Sequence, residues 1–213
     1  MATLQEALPT VFGFFSQAVE TGWGNEPVMA AATVAVKDWA TCDHSGLTLP
    51  VLASSFGPVY HLLFQLISTG HSLAAQATAA LISAIGSTPL ADMENPACFV
   101  EIAGAVLRCR TLYEKGLTSR DEEACAQFVQ LLVALAARCV KILLQGRGGE
   151  AGSAVLQALV VAIQHPTMIV ADLSLEFWLK LSEVWPSFSD AIRLGEVRIH
   201  STHFLSFSNT MAG

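Results

Sequence analysis

Apolar residues recur every three or four positions along most of the chain, and sustained alternation of apolar and polar residues is rare. Steps of three and four follow one face of an α-helix, whereas a half-buried strand alternates with a period of two. The pattern therefore predicts an all-α fold. It places helices over residues 9–21, 27–42, 57–69, 71–86, 96–116, 119–145, 151–164 and 166–185, with a short helical turn around residues 49–55.

Local signals mark where these helices begin. Ser119 and Glu122 fit the S-x-x-E capping box, in which two side chains satisfy the free N–H groups of a helix start. Proline is tolerated in a first helical turn, which suits Pro27, Pro58, Pro96 and Pro166. Pro9 is taken as the start of the first helix, although Thr3 and Glu6 would cap a helix that runs straight into it.

The helices form pairs that recur with a regular period. The second helices of successive pairs start near Pro27, His71, Ser119 and Pro166, which lie 44, 48 and 47 residues apart. A helix pair that repeats every 40–47 residues or so is typical of HEAT and armadillo repeats. We therefore expect an α-solenoid (an α-α superhelix) of about four HEAT/ARM-like hairpins over residues 1–185, followed by a divergent, poorly packed tail over 186–213. A plain antiparallel bundle is the alternative.

Composition raises the question of a membrane protein. Apolar residues make up 53% of the chain, charged residues only 14%, and the mean hydropathy is +0.51. The best spanning candidate is residues 125–144, but it contains Arg138 and Lys141. Each cation would cost about 2.5–3.5 kcal/mol near the bilayer centre, which argues against a spanning helix. Residues 1–10 also lack the basic and apolar regions of a signal peptide. A helical membrane protein remains an alternative.

Charge and cysteine content narrow the classes of partner and cofactor. The net charge of −7 and a pI near 5.3 argue against nucleic-acid binding, which needs clustered Lys and Arg, and favour basic protein segments as partners. The five cysteines are odd in number and unclustered, which indicates reduced thiols in a cytosolic or nuclear protein. The triplet Cys42-Asp43-His44 contains metal-ligand types but has no second cluster near it in sequence. No metal or cofactor is predicted.

The stretch Gly70-His71-Ser72-Leu73-Ala74 (GHSLA) resembles the G-x-S-x-G turn that carries the nucleophilic serine of lipases. Alanine replaces the second glycine, and the preceding residues have helical rather than strand spacing. The acid and base of a triad would have to come from elsewhere, namely from Asp92 or Asp121 and from His165, His200 or His203. We interpret Ser72 as a residue of a helix start, with a serine hydrolase using Ser72 as the alternative.

A glycine-rich segment over residues 145–153 raises the possibility of a phosphate-binding loop. It lacks the G-K-[ST] ending of a P-loop, and it follows a predicted helix where a P-loop follows a strand. We predict a flexible connection between helices instead.

Residues 164–183 read QHPTMIVADLSLEFWLKLSE, with a His-Pro that opens a helix and a Phe-Trp followed, after one leucine, by Lys-Leu-Ser-Glu. This segment resembles a repeat of nuclear transport receptors of the importin-β (karyopherin-β) superfamily, in the transportin-SR (transportin three) and importin-thirteen branch. The helix end at Trp39 and the small-residue segment 72–85 also resemble earlier repeats of that branch. The resemblance covers roughly residues 3–185, of which 165–183 is the most specific part.

The resemblance implies a non-enzymatic protein-binding scaffold, an internal segment of a nuclear import receptor that carries protein cargo through the nuclear pore in a Ran-dependent way. The implied partners are basic or Arg/Ser-rich cargo, the GTPase Ran and Phe-Gly nucleoporins, and the implied location is cytoplasm and nucleus. No direct binding of nucleic acid or membrane is implied. Five acidic residues are candidates for attracting basic cargo, with helix capping as the competing interpretation: Asp38, Asp43, Asp121, Glu122 and Glu123.

Overall fold

The computed structural model describes residues 4–21, 25–42 and 46–193, and these residues form helices without any strand. The all-α prediction is therefore confirmed for this part of the chain. The helices are α1 Leu4–Thr21, α2 Glu26–Thr41, α3 Leu49–Ser55, α4 Gly57–Thr69, α5 Ala74–Ser87, α6 Leu90–Met93, α7 Pro96–Arg108, α8 Arg110–Ser119, α9 Glu122–Arg138, α10 Val140–Leu144, α11 Gly149–Ile163 and α12 Met168–Arg193.

Side-chain caps explain several helix starts. Asn25 accepts a hydrogen bond from the Val28 N–H before α2, and Asn95 accepts one from the Ala97 N–H at 3.0 Å before α7. Each bond satisfies a backbone donor that has no partner within the helix. Proline lies in the first turn of α2, α4 and α7, as predicted from the sequence.

The start of the first helix was predicted wrongly. α1 begins at Leu4, five residues before the expected position, and it carries Pro9 in its interior. Proline there removes the hydrogen bond to the Gln5 carbonyl, which is costly in an isolated helix. Burial outweighs this cost, because Leu8 lies on the same buried face of α1 as Phe12 and Val19.

The predicted capping box at Ser119 is also wrong. Ser119 is the last residue of α8, and the backbone turns at Arg120, whose φ of 60° is left-handed. Asp121 is the actual cap of α9, since its Oδ1 accepts from the Ala124 N–H at 3.0 Å. The capping residue therefore lies two positions later than the S-x-x-E pattern suggested. Glu122 and Glu123 follow it in the first turn of α9, where negative charge favours a helix start.

Two helices predicted as continuous are broken at cysteines. The predicted helix 96–116 divides at Cys109 into α7 and α8, and the helix 119–145 divides at Cys139 into α9 and α10. At each break the cysteine N–H bonds to the carbonyl three residues back, as in the tightened turn at a helix end. The break at Cys139 also divides the segment 125–144 that had been considered as a membrane span.

The remaining differences concern helix ends. α5 begins at residue 74 rather than 71, and α11 begins at 149 rather than 151. The short helix α6 was not predicted. α12 begins two residues after Pro166 and continues through Pro186 to Arg193, eight residues beyond the predicted end. Residues 194–213, most of the predicted tail, lie outside the described residues.

Helix contacts follow the order of the chain. Four consecutive pairs pack together as α1 with α2, α4 with α5, α8 with α9, and α11 with α12. The second helices of these pairs also form a series, in which α2 contacts α5, α5 contacts α9, and α9 contacts α12. On the other side α1 contacts α4, α4 contacts α7 and α8, and α7 contacts α11. Each pair therefore packs mainly against its predecessor and its successor.

One apolar core runs through all four pairs. Its largest fully buried side chains include Phe12 in α1, Phe99 in α7 and Phe177 in α12. Because the core is continuous from α1 to α12, no pair has an apolar interior of its own that is separate from its neighbours.

Candidate functional site

Ser72, the proposed nucleophile of the lipase-like stretch, lies in the turn between α4 and α5. Gly70 ends α4 in the left-handed conformation, with φ of 70°. The Ser72 hydroxyl donates to the Glu26 carboxylate of α2 at 3.0 Å, and its oxygen lies 3.2 Å from His71 Nδ1. The same Nδ1 accepts from the Leu73 N–H at 3.2 Å. His71 and Ser72 thus shape the start of α5 and join it to α2.

This arrangement contains a serine, a histidine and a carboxylate, but in an order unlike that of a catalytic triad. In a triad the imidazole lies between the hydroxyl and the carboxylate, so that it can take the hydroxyl proton and hold the resulting charge against the acid. Here the Glu26 carboxylate accepts directly from Ser72. His71 Nδ1, the imidazole nitrogen near the hydroxyl, already accepts from the Leu73 N–H, so its lone pair is poorly placed to take the hydroxyl proton.

The other proposed triad residues are not brought to Ser72. Asp121 caps α9, and His165 Nδ1 accepts from the Thr167 N–H at 3.1 Å before α12. Asp92 belongs to the short helix α6. No hydrogen bond or ion pair joins any of these three side chains to Ser72 in the described ranges. His200 and His203 lie outside the described residues.

The hydrogen bond between Ser72 and Glu26, which joins the first and second helix pairs, has a counterpart between the third and fourth pairs. The Thr167 hydroxyl donates to the Glu122 carboxylate at 3.0 Å, across 45 residues, just as Ser72 donates to Glu26 across 46. In both places the acceptor lies in the first turn of the second helix of one pair, which is α2 or α9. The donor lies in the turn just before the second helix of the next pair, which is α5 or α12. A histidine Nδ1 accepts a backbone N–H at both donor turns. The same local chemistry therefore occurs at two of the three contacts between successive pairs, the first and the third.

Other long-range hydrogen bonds span similar separations in the chain. The Cys109 thiol donates to the Phe64 carbonyl across 45 residues, and the Cys139 thiol donates to the Met93 carbonyl across 46. The Thr111 hydroxyl donates to the Ser68 carbonyl across 43 residues. Sulfur is a weak hydrogen-bond donor. The two thiols are therefore mainly small buried side chains at the helix breaks, and each also gives a backbone carbonyl a partner.

The buried cysteines are poorly suited to nucleophilic chemistry. Burial raises the pKa of both Cys109 and Cys139 to about 12, so each stays a thiol at neutral pH, and the thiolate is the reactive form. No group of three His, Cys, Asp or Glu side chains in the described segments could hold a metal ion. Cys42 is exposed, and its predicted companions Asp43 and His44 fall outside those segments.

The acidic residues proposed to attract basic cargo are largely engaged within the fold. Asp121 caps α9, Glu122 accepts from Thr167, and Glu123 accepts from the Gln127 side chain at 3.4 Å. Asp38 is exposed on α2, and Asp43 lies outside the described residues. The structure does not gather the described acidic residues into one site.

The glycine-rich segment joins α10 to α11 and has a packing role. Gly148 is buried with its Cα close to the ring of Phe99. A Cβ at this position would lie 2.6 Å from Phe99 Cε1 and 3.1 Å from the Cα of Gly152. Gly146 and Gly149 have positive φ values of 66° and 55°. Glycine is needed here for turn geometry and close approach, and no strand precedes the turn as a P-loop would require.

A groove with a different character lies between α4 and the α7–α8 break. Its volume is about 590 Å³. Phe64, Ala105 and Cys109 contribute buried apolar surface. The rim carries exposed or half-buried polar side chains: His61, Gln65, Ser68, Arg108, Thr111 and Lys115.

The charged side chains that line this groove are both cations. Arg108 and Lys115 have no ion pair in the described part of the chain, whereas Arg110 beside them pairs with Glu114 at 3.0 Å. Burial raises the pKa of Tyr60 to about 12, with Glu101 adding to the rise and Arg108 opposing it. The charges of Glu101 and Arg108 therefore both act on Tyr60, which is next to the groove residue His61 in the chain. The sequence interpretation did not identify this groove, although four of the eleven Lys and Arg residues fall between 108 and 120.

No single helix in the described ranges is long and apolar enough to cross a bilayer. α3 and α4 meet the length and composition criteria only as a pair, and the two are bent by 112° relative to each other.

Comparisons with protein-family models, with curated proteins and with solved structures returned no match to this chain.

Proposed function

We propose that the chain is a non-enzymatic protein-binding scaffold whose helix pairs stack as a HEAT/ARM-like α-solenoid. The observation that carries this proposal is the repetition of the same joint between pairs, in which Ser72 bonds to Glu26 and Thr167 to Glu122. Their separations of 46 and 45 residues agree with the period of a helical repeat array. The chain-order packing of the pairs supports the same arrangement.

The exposed side of α12 is consistent with an array whose last described pair lacks a neighbour. Met168 is 76% exposed, Ile169 67% and Leu179 66%, although all three are large apolar residues. In α9, which contacts both α5 and α12, the comparable apolar positions are buried. A repeat array stacks a further pair, or a cap, on such a face.

Within this class we propose a segment of a nuclear import receptor of the importin-β superfamily, in the transportin-SR and importin-thirteen branch. This finer assignment rests on the resemblance of residues 164–183. The residues that carry the resemblance have clear physical roles, since His165 caps the turn before α12 and Phe177 is fully buried with its ring 5.1 Å from that of Trp178. A receptor segment of this kind would act in the cytoplasm and nucleus and bind protein cargo, Ran and nucleoporins rather than nucleic acid or membrane.

The decisive test is a pull-down with the immobilised chain, offered Ran loaded with GTP, Ran loaded with GDP, and an Arg-Ser-rich peptide in parallel. We expect retention of the peptide or of Ran-GTP in preference to Ran-GDP. An acidic protein should also release the peptide as salt is raised, because complementary charge accelerates and strengthens the encounter. Retention of none of the three would contradict the receptor assignment and leave the stacked array to be tested by its shape.

The proposal that the chain is not a serine hydrolase can be tested separately. A fluorophosphonate probe labels activated serines, and we expect no labelling of Ser72, because His71 is not placed between the hydroxyl and Glu26. Labelling that disappears in Ser72→Ala would contradict a non-enzymatic role.

A further inference from the structure

We propose that the groove between α4 and the α7–α8 break binds an acidic peptide segment of a partner protein. This inference rests on the proposed role of the chain in protein recognition, but it concerns a ligand of opposite charge to the basic cargo considered above. It also assigns the ligand to a particular surface.

The groove is an open depression, which suits an extended peptide segment that stays partly in contact with solvent. Its volume of about 590 Å³ lies within the range of ligand sites, and its walls come from two successive helix pairs. The Thr111 hydroxyl donates to the Ser68 carbonyl at 3.3 Å, which ties the two walls together. Phe64 is 8% exposed and Ala105 1%, so the apolar floor of the groove is small, and the polar rim would make most of the contact with a peptide.

The charge of the groove is opposite to that of the whole molecule. The chain carries a net charge of −7, yet Arg108 and Lys115 are the charged groups that line the groove. Residues 1–107 contain a single Lys or Arg, Lys37, so this cationic surface is a local feature rather than a consequence of general composition. A site lined by unpaired cations attracts anionic groups and disfavours basic segments.

The two cations are positioned to bind separate acidic groups. Arg108 lies in the last turn of α7 and Lys115 lies seven residues later in α8, across the break at Cys109. The Arg108 guanidinium extends back over Gly104, where a Cβ would lie 3.9 Å from its Nη1. The guanidinium offers a planar fork to a carboxylate, and the Lys115 ammonium acts as a point charge. Gln65 and Thr111 add polar groups at the rim for peptide amides.

The test is fluorescence anisotropy with the full chain and a fluorescein-labelled peptide in which Glu and Asp alternate with Leu and Ala. The matched probe replaces every Glu and Asp by Gln and Asn. At low salt, about 50 mM, we expect the acidic probe to bind and the neutral probe to bind at least about tenfold more weakly. We expect Arg108→Gln with Lys115→Gln to weaken binding of the acidic probe by about tenfold or more.

A matched control variant separates the groove from net charge. Arg147→Gln with Lys180→Gln also removes two exposed positive charges, but neither residue lines the groove. We expect this variant to bind the acidic probe within about twofold of the unmodified chain. Equal binding by both double variants, or no binding of the acidic probe to any of the proteins, would overturn the proposal. Far-ultraviolet dichroism of both variants checks that they retain the helical fold.

A vesicle arm distinguishes a peptide from a membrane surface. Sedimentation with vesicles of phosphatidylserine and phosphatidylcholine that depends on Arg108 and Lys115, together with failure to bind the acidic probe, would overturn the peptide assignment. Failure of this site is also distinguishable from failure of the proposed receptor function. Retention of Ran-GTP or of the Arg-Ser-rich peptide does not depend on an acidic ligand in this groove.

Discussion

Replacement of Gly148 by alanine provides a sharp test of how closely the pairs pack. Gly148 has φ of −78° and ψ of −7°, which alanine adopts without strain, so the substitution tests space alone. The new Cβ would lie 2.6 Å from Phe99 Cε1 and 3.2 Å from Cδ1, whereas carbon atoms in contact are separated by about 3.5–4.0 Å. Phe99 is fully buried, so its ring cannot move aside without displacing other core residues.

We expect Gly148→Ala to lower the free energy of unfolding. Overpacking of a well-packed core costs about 1–3 kcal/mol. Reduced freedom of the unfolded chain returns about 0.4–1 kcal/mol. The net loss should be about 1–2 kcal/mol, which for a chain of this size lowers the melting temperature by about 2–8 °C. The measurement is urea unfolding followed by far-ultraviolet dichroism, together with a thermal melt.

Gly86→Ala in α5 is the matched control. A Cβ there would have no heavy atom within 4 Å, so the same chemical change should stabilise the helix by about 0.4–1 kcal/mol. In a Phe99→Leu background the cost of Gly148→Ala should shrink, because the clashing ring atoms are gone, and a double-mutant cycle measures that coupling. The reasoning is refuted if Gly148→Ala is as stable as the unmodified chain, or if its cost is unchanged by Phe99→Leu.

Four further outcomes are expected from burial and geometry. In urea unfolding, Phe177→Ala should lower the free energy of unfolding by about 3–5 kcal/mol, because Phe177 is fully buried. Leu179→Ala should change it by about 0.5 kcal/mol or less, because Leu179 is 66% exposed. Similar losses in the two variants would contradict the assigned burial. Burial raises the pKa of Cys109 from 9.0 to about 12, so the contribution of this thiol to stability is present below about pH 9 and declines as pH rises towards 12. The urea midpoint should therefore fall between about pH 8 and pH 10.5. It should fall less in Cys109→Ala. The exposed Cys42 should react with a disulfide reagent before unfolding and Cys109 only after it; early reaction of Cys109 would be evidence against its burial. Ser72→Ala should leave any esterase activity of a preparation unchanged, because the Ser72 hydroxyl joins α5 to Glu26.

The helix content was predictable because it follows from a repeating apolar pattern, whereas helix ends depended on tertiary contacts. The sequence placed a helix start at Ser119, whereas the structure ends α8 there and identifies Asp121 as the cap of α9. The Pro9 prediction failed because burial of Leu8 outweighs the local preference of proline for a helix start. The break at Cys109 has no local breaker residue, so apolar spacing alone could not locate it.

The functional chemistry was predictable only where it depended on local turns. Ser72 was predicted as a residue of a helix start, but it lies in the turn two residues before α5 and does not cap that helix. Its bond to Glu26 spans 46 residues and has no local signal. The groove with Arg108 and Lys115 was missed because its walls come from two pairs, so its residues are dispersed in sequence. The concentration of cations between residues 108 and 120 was the available signal.

The most direct test of the stacked arrangement is the distance between two spin labels, one on α2 and one on α12. These are the second helices of the first and last described pairs. Nitroxide labels would replace the exposed residues Lys37 in α2 and Lys180 in α12, in a chain with Cys42 and Cys98 changed to serine so that the buried thiols alone remain. Three successive helix steps of about 8–10 Å each predict a separation of about 25–30 Å. A separation of about 10–15 Å, which a bundle closed around one axis would give, would contradict the stacked array.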